Sequence, residues 1–330
     1  QYIEDVFSTW LYTGNGSTQT ITNGIDLAGK GGLVWCKERS AGTGGGRDFH
    51  YLTDSARGIG YRISTNDTGG NGSLNDTDMA SFNSTGFSLN IAADRFNYSG
   101  DTYASWTFRK QPKFFDIVTY SGNSTAGRTI AHNLGSAPGF MVVKSTSQAS
   151  TWAVYHRSID VSQYVLALNT TDAQFGQGYW NYTAPTSSVF TVGSSGDTNQ
   201  SGQTYVAYLF AHDAGGFGLT GTDNVISCGS ASVSAASSVT VNLGYEPQFV
   251  LIKPTTFAST WWIADNMRGM SNGATALLRA NASNAEYNDG TPYIKPTATG
   301  FVIDPNLYGS DATVIYIAIR RGPMKVPTSG

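Results

Sequence analysis

Tyr103-Ala104-Ser105-Trp106-Thr107-Phe108 alternates between two faces. Ala104, Trp106 and Phe108 point one way, and Tyr103, Ser105 and Thr107 the other, as in a β-strand. Two later stretches read as the same strand: Tyr205-Val206-Ala207-Tyr208-Leu209-Phe210 and Thr313-Val314-Ile315-Tyr316-Ile317-Ala318. The second is apolar on both faces and the third nearly so. A strand of that kind lies centrally in a fold or at an interface.

Upstream of each copy, further elements recur with a period of about a hundred residues. The opening strands run to Tyr12-Thr13-Gly14-Asn15, Tyr120-Ser121-Gly122-Asn123 and Cys228-Gly229. Polar turns follow at Asp26-Leu27-Ala28, Asn133-Leu134-Gly135 and Asn242-Leu243-Gly244. Apolar strands then end on Lys37, Lys144 and Lys253, and aromatic strands begin at His50, Trp152 and Trp261. Phe87, Phe190 and Phe301 recur in a later strand and read as core. The period exceeds a solenoid unit and matches a small domain. Strand-like runs alternate with Gly, Asn, Asp and Ser clusters. The expected fold is therefore all-β, with three tandem, jelly-roll-like antiparallel β-sandwich domains at 1–113, 114–222 and 223–330, the last with a short C-terminal tail. Seven or eight strands are expected in each. No amphipathic helix of useful length is visible; Thr171 to Phe175 and Ala280 to Tyr287 are the best short candidates.

A prior of ~150 residues per domain gives two or three domains for this chain. Charged residues are 13% of 330, about half the usual share, and the net charge is −3. Lys and Arg are scattered, so no basic stripe is available for nucleic acid. The longest apolar run, Tyr205 to Ala211, is far short of a membrane helix. The chain opens at Gln1 without Met and shows no signal peptide, which reads as a processed product or a portion of something longer.

Cys36 and Cys228 sit where the other blocks carry packing residues, so they read as buried free thiols; a bridge between blocks one and three is the alternative. Eleven Asn-x-Ser/Thr triplets, including Asn15, Asn83, Asn123 and Asn181, are what so Asn-, Ser- and Thr-rich a chain makes by chance. The three strand-end lysines read as snorkelling side chains, a shared ligand role being the rival. Gly42 to Arg47, inserted in block one only, is a loop tip and not a phosphate cradle, because no Gly-Lys-Ser/Thr ending and no helix follow.

Asp54-Ser55-Ala56-Arg57-Gly58 aligns on Asp265-Asn266-Met267-Arg268-Gly269. Asp and Arg three apart before Gly suit a tight turn whose carboxylate holds backbone N–H groups or the guanidinium. Block two has His156 in place of the aspartate. His50, His132, His156 and His212 show no metal-motif spacing, and no nucleophile elbow occurs. No catalytic or cofactor-binding residue is therefore assigned. The stretch from Asn66 to Asp78 is rich in oxygen donors; it reads as a solvated loop, with calcium the alternative. Trp180, Tyr293 and Tyr308 are expected near exposed loops, either stacking on sugar rings or packing between neighbouring domains or subunits.

Tyr12-Thr-Gly-Asn-Gly, Ala131-His-Asn-Leu-Gly-Ser-Ala-Pro138, Trp152-Ala-Val-Tyr-His-Arg157, Ala214-Gly-Gly-Phe-Gly218 and Ala104-Ser-Trp-Thr-Phe-Arg109 together resemble repeat domains in structural proteins of marine bacteriophages. Those are tail-fibre, receptor-binding or virion-surface proteins with concanavalin-like β-sandwich repeats. The resemblance covers nearly the whole chain and brings no catalytic residues with it. It implies an extracellular, virion-surface location, an adhesive or structural job as fibre, appendage or capsid decoration, and contacts with other virion proteins, with itself as a homo-oligomer, and with host glycans. A free carbohydrate-binding module is the first rival. A glycan-degrading tail spike is the second, and it would need a carboxylate pair that the repeat does not supply.

Overall fold

The computed structural model describes residues 1–40, 48–71, 78–91 and 94–325. Block one holds β1 (Phe7–Thr13), β2 (Gln19–Thr22), β3 (Gly32–Glu38), β4 (His50–Asp54), β5 (Ile63–Ser64), β6 (Met79–Asn83), β7 (Gly86–Leu89) and β8 (Thr102–Arg109). Block two holds β9 (Phe115–Ser121), β10 (Arg128–Ala131), β11 (Phe140–Ser145), β12 (Ala153–His156), β13 (Leu166–Ala167), β14 (Val189–Val192) and β15 (Thr204–Phe210). Block three holds β16 (Ile226–Val233), β17 (Val239–Asn242), β18 (Pro247–Pro254), β19 (Trp262–Asp265), β20 (Leu278–Arg279), β21 (Ile294–Thr297), β22 (Gly300–Ile303) and β23 (Ala312–Arg320).

The three blocks share one wiring. Each has a five-stranded antiparallel sheet, in the orders β1-β8-β3-β4-β5, β9-β15-β11-β12-β13 and β16-β23-β18-β19-β20. Each also has a smaller sheet: β2-β7-β6, β10-β14 and β17-β22-β21. The first strand lies beside the last, and the second beside the one before the last. Among the described residues no sheet takes strands from two blocks. The chain is an all-β tandem repeat of antiparallel, sandwich-like units.

Burial follows the alternation of side chains along each strand. The outer strands β2, β10 and β17 bury only their third residue fully: Ile21, Ile130 and Val241. By contrast every residue of β3 and β11 is buried. These central strands are covered twice, as their apolar runs implied. On β3, Val34 and Cys36 pack toward the small sheet of block one, while Leu33 and Trp35 join a core that runs through all three blocks. On β18, Val250 and Ile252 face the small sheet, and Phe249 and Leu251 face the shared core. Three large sheets therefore turn their inner faces to one another. Where they meet, a cavity of about 20 Å³ is lined by Leu33, Trp35, Phe140, Val142, Phe249 and Leu251, among others. It is apolar and scarcely one water wide, which is packing space and no ligand pocket.

Strand register corrects two alignments. Phe108, Phe210 and Ile319 lie opposite Leu33, Phe140 and Phe249. Trp106 and Tyr208 therefore correspond to Ile317, not to Tyr316, and the closing strand of block three is displaced by one residue. A slip of one swaps faces. Ile315, Ile317 and Ile319 point to the shared core, and Tyr316 packs edge-on against Phe301 beneath the small sheet. Because this strand is apolar on both sides, its sequence carries no alternation to fix the register. Likewise the match to Tyr12 and Tyr120 is Ala231, and Cys228 takes the place of Thr9 and Ile117.

The helical segments are short and lie at Ile3–Asp5, Leu27–Lys30, Gly196–Asn199 and Pro305–Leu307; the two short candidates, Thr171 to Phe175 and Ala280 to Tyr287, are not helical. None is long and apolar enough to cross a membrane. Phe87, Phe190 and Phe301 are buried, and Cys36 and Cys228 are buried and unpaired.

Candidate functional site: the seams between the blocks

The strands β4, β12 and β19 each begin at or directly after a residue whose backbone N–H is held by an asparagine. His50, Trp152 and Trp261 donate to Oδ1 of Asn66, Asn169 and Asn281 at 2.8, 2.9 and 2.8 Å. Each asparagine opens a segment that reaches the next block. Five residues on, Asn71 of block one donates its backbone N–H to Thr146 O of block two at 2.7 Å. Gln174 of block two donates to Thr255 O of block three at 2.9 Å, and Glu286 of block three to Arg39 O of block one at 2.9 Å. The three hydrogen bonds join equivalent positions in cyclic order. The blocks close into a ring with approximate threefold symmetry.

Side chains fasten the same seams. Trp152 Nε1 donates to Asp67 O and Trp261 Nε1 to Ala167 O, at 3.0 and 2.8 Å. Lys37, Lys144 and Lys253 face the shared core and are fully buried, so they do not snorkel. Each ammonium is held by carbonyl oxygens: Lys37 by Glu38 and Ser283, Lys144 by Ser145 and Gln148, Lys253 by Pro254 and Thr171. Two of the three thus bridge blocks. Burial lowers all three to about 8.

The Asp-x-x-Arg motif is a turn and an inter-block clasp at once. Asp54 Oδ1 accepts from the N–H groups of Ala56 and Arg57, while Oδ2 binds Arg57 Nε at 2.5 Å. Tyr208 of block two donates its hydroxyl to that same Oδ2 at 2.7 Å and accepts from Arg57 Nη2 at 3.1 Å. At the third seam, Asp265 Oδ2 binds Arg268 Nε at 2.6 Å and accepts from Trp106 Nε1 of block one at 3.1 Å. Arg268 also lies over the Trp106 ring, 5.5 Å from its centre. Glu286 adds a bidentate pair with Arg39 at 2.9 Å for both contacts. His156, which replaces the aspartate in block two, contacts Tyr316 O of block three at 3.1 Å and takes Ser158 N–H on its other nitrogen. Burial pushes it down to about 4.

The aromatics named from sequence are dispersed. Trp180 is 2% exposed, sealed between the sheets of block two against Tyr155 and Tyr179, which corrects its expected exposure. Tyr308 is half-buried, donates to Ile252 O and packs on Phe257. Tyr293 is half-buried too, but it belongs to an outward-facing group with Trp262, Tyr287 and Asp289. A polar cleft of about 360 Å³ lies on the seam of blocks one and two, beside Arg57, Tyr61, Asn71 and Thr204.

The glycine insertion Gly42 to Arg47 lies outside the described residues, as does 72–77 of the oxygen-rich stretch. The rest of that stretch is engaged: Asn66 caps His50, Asp67 O receives Trp152, and Asp78 pairs with Arg62 and Arg95. Among the described residues no group of three His, Cys, Asp or Glu side chains is placed to hold a metal ion. The sequence reading missed Asn66, Asn169 and Asn281. Their signal was present, because all three open Asn-x-Ser/Thr triplets at one repeat position.

A family model described as a domain of unknown function, DUF7483, matches residues 3–323. No curated protein and no solved structure matches the chain.

Proposed function

The chain belongs to that family, and from this premise we propose that it is a bacteriophage virion structural protein: a fibre, appendage or capsid decoration with an adhesive or assembly role. The observation that carries the reading is the closed ring of cross-block hydrogen bonds from Asn71, Gln174 and Glu286. Buried side chains join the blocks at the seams, among them Tyr208 to Asp54, Trp106 to Asp265 and Trp261 to Ala167 O. A unit built this way is a rigid display scaffold, with three small sheets turned outward. The sequence resemblance supplies the virion. The finer fold belongs to the same proposal: each block is jelly-roll-like, supported by the nested pairing of first strand with last and second with next-to-last. Association with other virion proteins and with further copies of itself is part of the reading. Mass spectrometry of gradient-purified particles, with antibody–gold labelling, tests it. The protein should co-purify at fixed stoichiometry and label the particle surface; its absence from purified particles sinks the proposal.

A lectin-like carbohydrate-binding role is the second reading. The outward aromatic group of block three favours it.

A further inference from the structure

In block three, Trp262, Tyr287 and Tyr293 form a run of tilted rings. Trp262 and Tyr287 are 6.4 Å apart at 31°, and Tyr287 and Tyr293 are 6.2 Å apart at 37°. The hydroxyls of both tyrosines donate to Asp289 Oδ2, at 2.7 and 2.8 Å. Asp289 Oδ1 takes the N–H of Thr291 at 2.9 Å. The carboxylate is thus fixed beside the rings while remaining on the exposed tip of a turn. These hydrogen bonds hold it well below the usual carboxylate range, so it stays an acceptor. Arg279 covers Trp262 at 4.9 Å, which leaves Tyr287, 39% exposed, as the outward ring.

The other blocks show that this arrangement is not demanded by the scaffold. Tyr287 bridges to Leu277 just as Phe175 of block two bridges to Val165. Yet block two has Ala153 at the position of Trp262, and its large ring, Trp180, is sealed inside. Only block three, among the described residues, combines an exposed ring, Tyr287, with a preset carboxylate at this place.

We propose that Tyr287, Tyr293 and Asp289 form a saccharide-binding platform for a neutral hexose-containing glycan. The exposed ring of Tyr287 offers an apolar face for the C–H face of a pyranose, Tyr293 flanks it at 37°, and Asp289 accepts hydrogen bonds from adjacent hydroxyls. A uronate or sialylated chain would set its own carboxylate against Asp289 and is disfavoured. The inference rests on the adhesive part of the proposed function and gives it a site.

The test is titration of the full chain with soluble hexaoses of glucose, galactose and mannose in α and β linkage, followed by tryptophan fluorescence and calorimetry. A hexauronate serves as the anionic probe. At least one neutral oligosaccharide should bind at millimolar concentration or below. Tyr287→Ala and Asp289→Asn should each weaken it about tenfold or more, a loss of about 1.4 kcal/mol. Tyr182→Ala, an exposed tyrosine elsewhere, should leave it unchanged. Both test positions are exposed, so unchanged thermal unfolding of the variants confirms that they fold. Failure of every neutral oligosaccharide to bind, unchanged affinity in Tyr287→Ala, or preference for the uronate each overturns the proposal. Presence in particles is read separately, so a negative titration does not touch the virion assignment, nor the reverse.

Discussion

The hydroxyl of Tyr208 in block two donates to Asp54 Oδ2 in block one at 2.7 Å, on the oxygen that also holds Arg57 Nε at 2.5 Å. Both side chains of the ion pair are almost wholly withdrawn from solvent, at 4% and 0% exposure. Such a pair is stable only when all its partners are present. Removing one partner leaves a buried charge exposed to no compensating group.

Tyr208→Phe should therefore cost about 1–3 kcal/mol, since it keeps the ring and deletes one donor to a buried carboxylate. Asp54→Ala should cost more, about 3–5 kcal/mol, because it strands the guanidinium of Arg57 and releases the turn. Urea denaturation followed by fluorescence measures both. Equal, negligible losses would show that the clasp does not hold the seam.

The buried lysines make a signed prediction. Each has a folded value near 8 against an ordinary value of 10.5. The unfolded chain then binds more protons between those limits, so their contribution to stability rises as pH climbs from 8 toward 10. Below pH 8 both states are protonated and the contribution is flat. Comparison of wild type with Lys253→Met should show wild type gaining relative stability from pH 7.5 to 9.5. A constant difference would refute the burial of the charge.

His156 acts in the opposite pH range. Its folded value of about 4 lies below the ordinary 6.5, so the stability it contributes is present above pH 6.5 and is lost as pH falls toward 4. Between pH 7 and 5 the loss should be on the order of 2 kcal/mol. His156→Asn should flatten this slope while lowering stability at pH 7. The urea midpoint at the two pH values decides.

Cys36 and Cys228 are buried, and burial pushes both thiols up, Cys36 to about 12. The thiolate is the reactive form. Neither should react with a disulfide reagent in the native protein at pH 7.5, and both should react in urea. A native-state reaction of either within minutes would contradict the packing described.

Much of the fold was legible in the chain. Tyr103 to Phe108 showed its two faces because one side carries Ser105 and Thr107; the paired strands and the buried Phe87, Phe190 and Phe301 followed from the same alternation. Block three was misread by one residue where that alternation fails, since Val314 to Ile319 are apolar on both sides. Tyr316 looked like the partner of Trp106 only because both are aromatic. Trp180 was misplaced for a related reason: a tryptophan in a Gly- and Asn-rich stretch gives no sign of whether it points in or out.

What the sequence determined by itself is everything set by neighbours along the chain: strands, turns, the Asp-x-x-Arg capping turn and the threefold repetition. What only the tertiary structure decided is where the second face of each large sheet goes. Three sandwiches in a row and three sandwiches closed about one core have the same local pattern, because a strand buried twice reads the same whether a small sheet, another block or another chain covers it. The ring is set by contacts between residues far apart in the chain, such as Glu286 with Arg39, and by the buried Lys37 and Lys253, whose cross-block partners are the backbone carbonyls of Ser283 and Thr171. A carbonyl carries no side-chain identity, so no letter in the sequence could have named it.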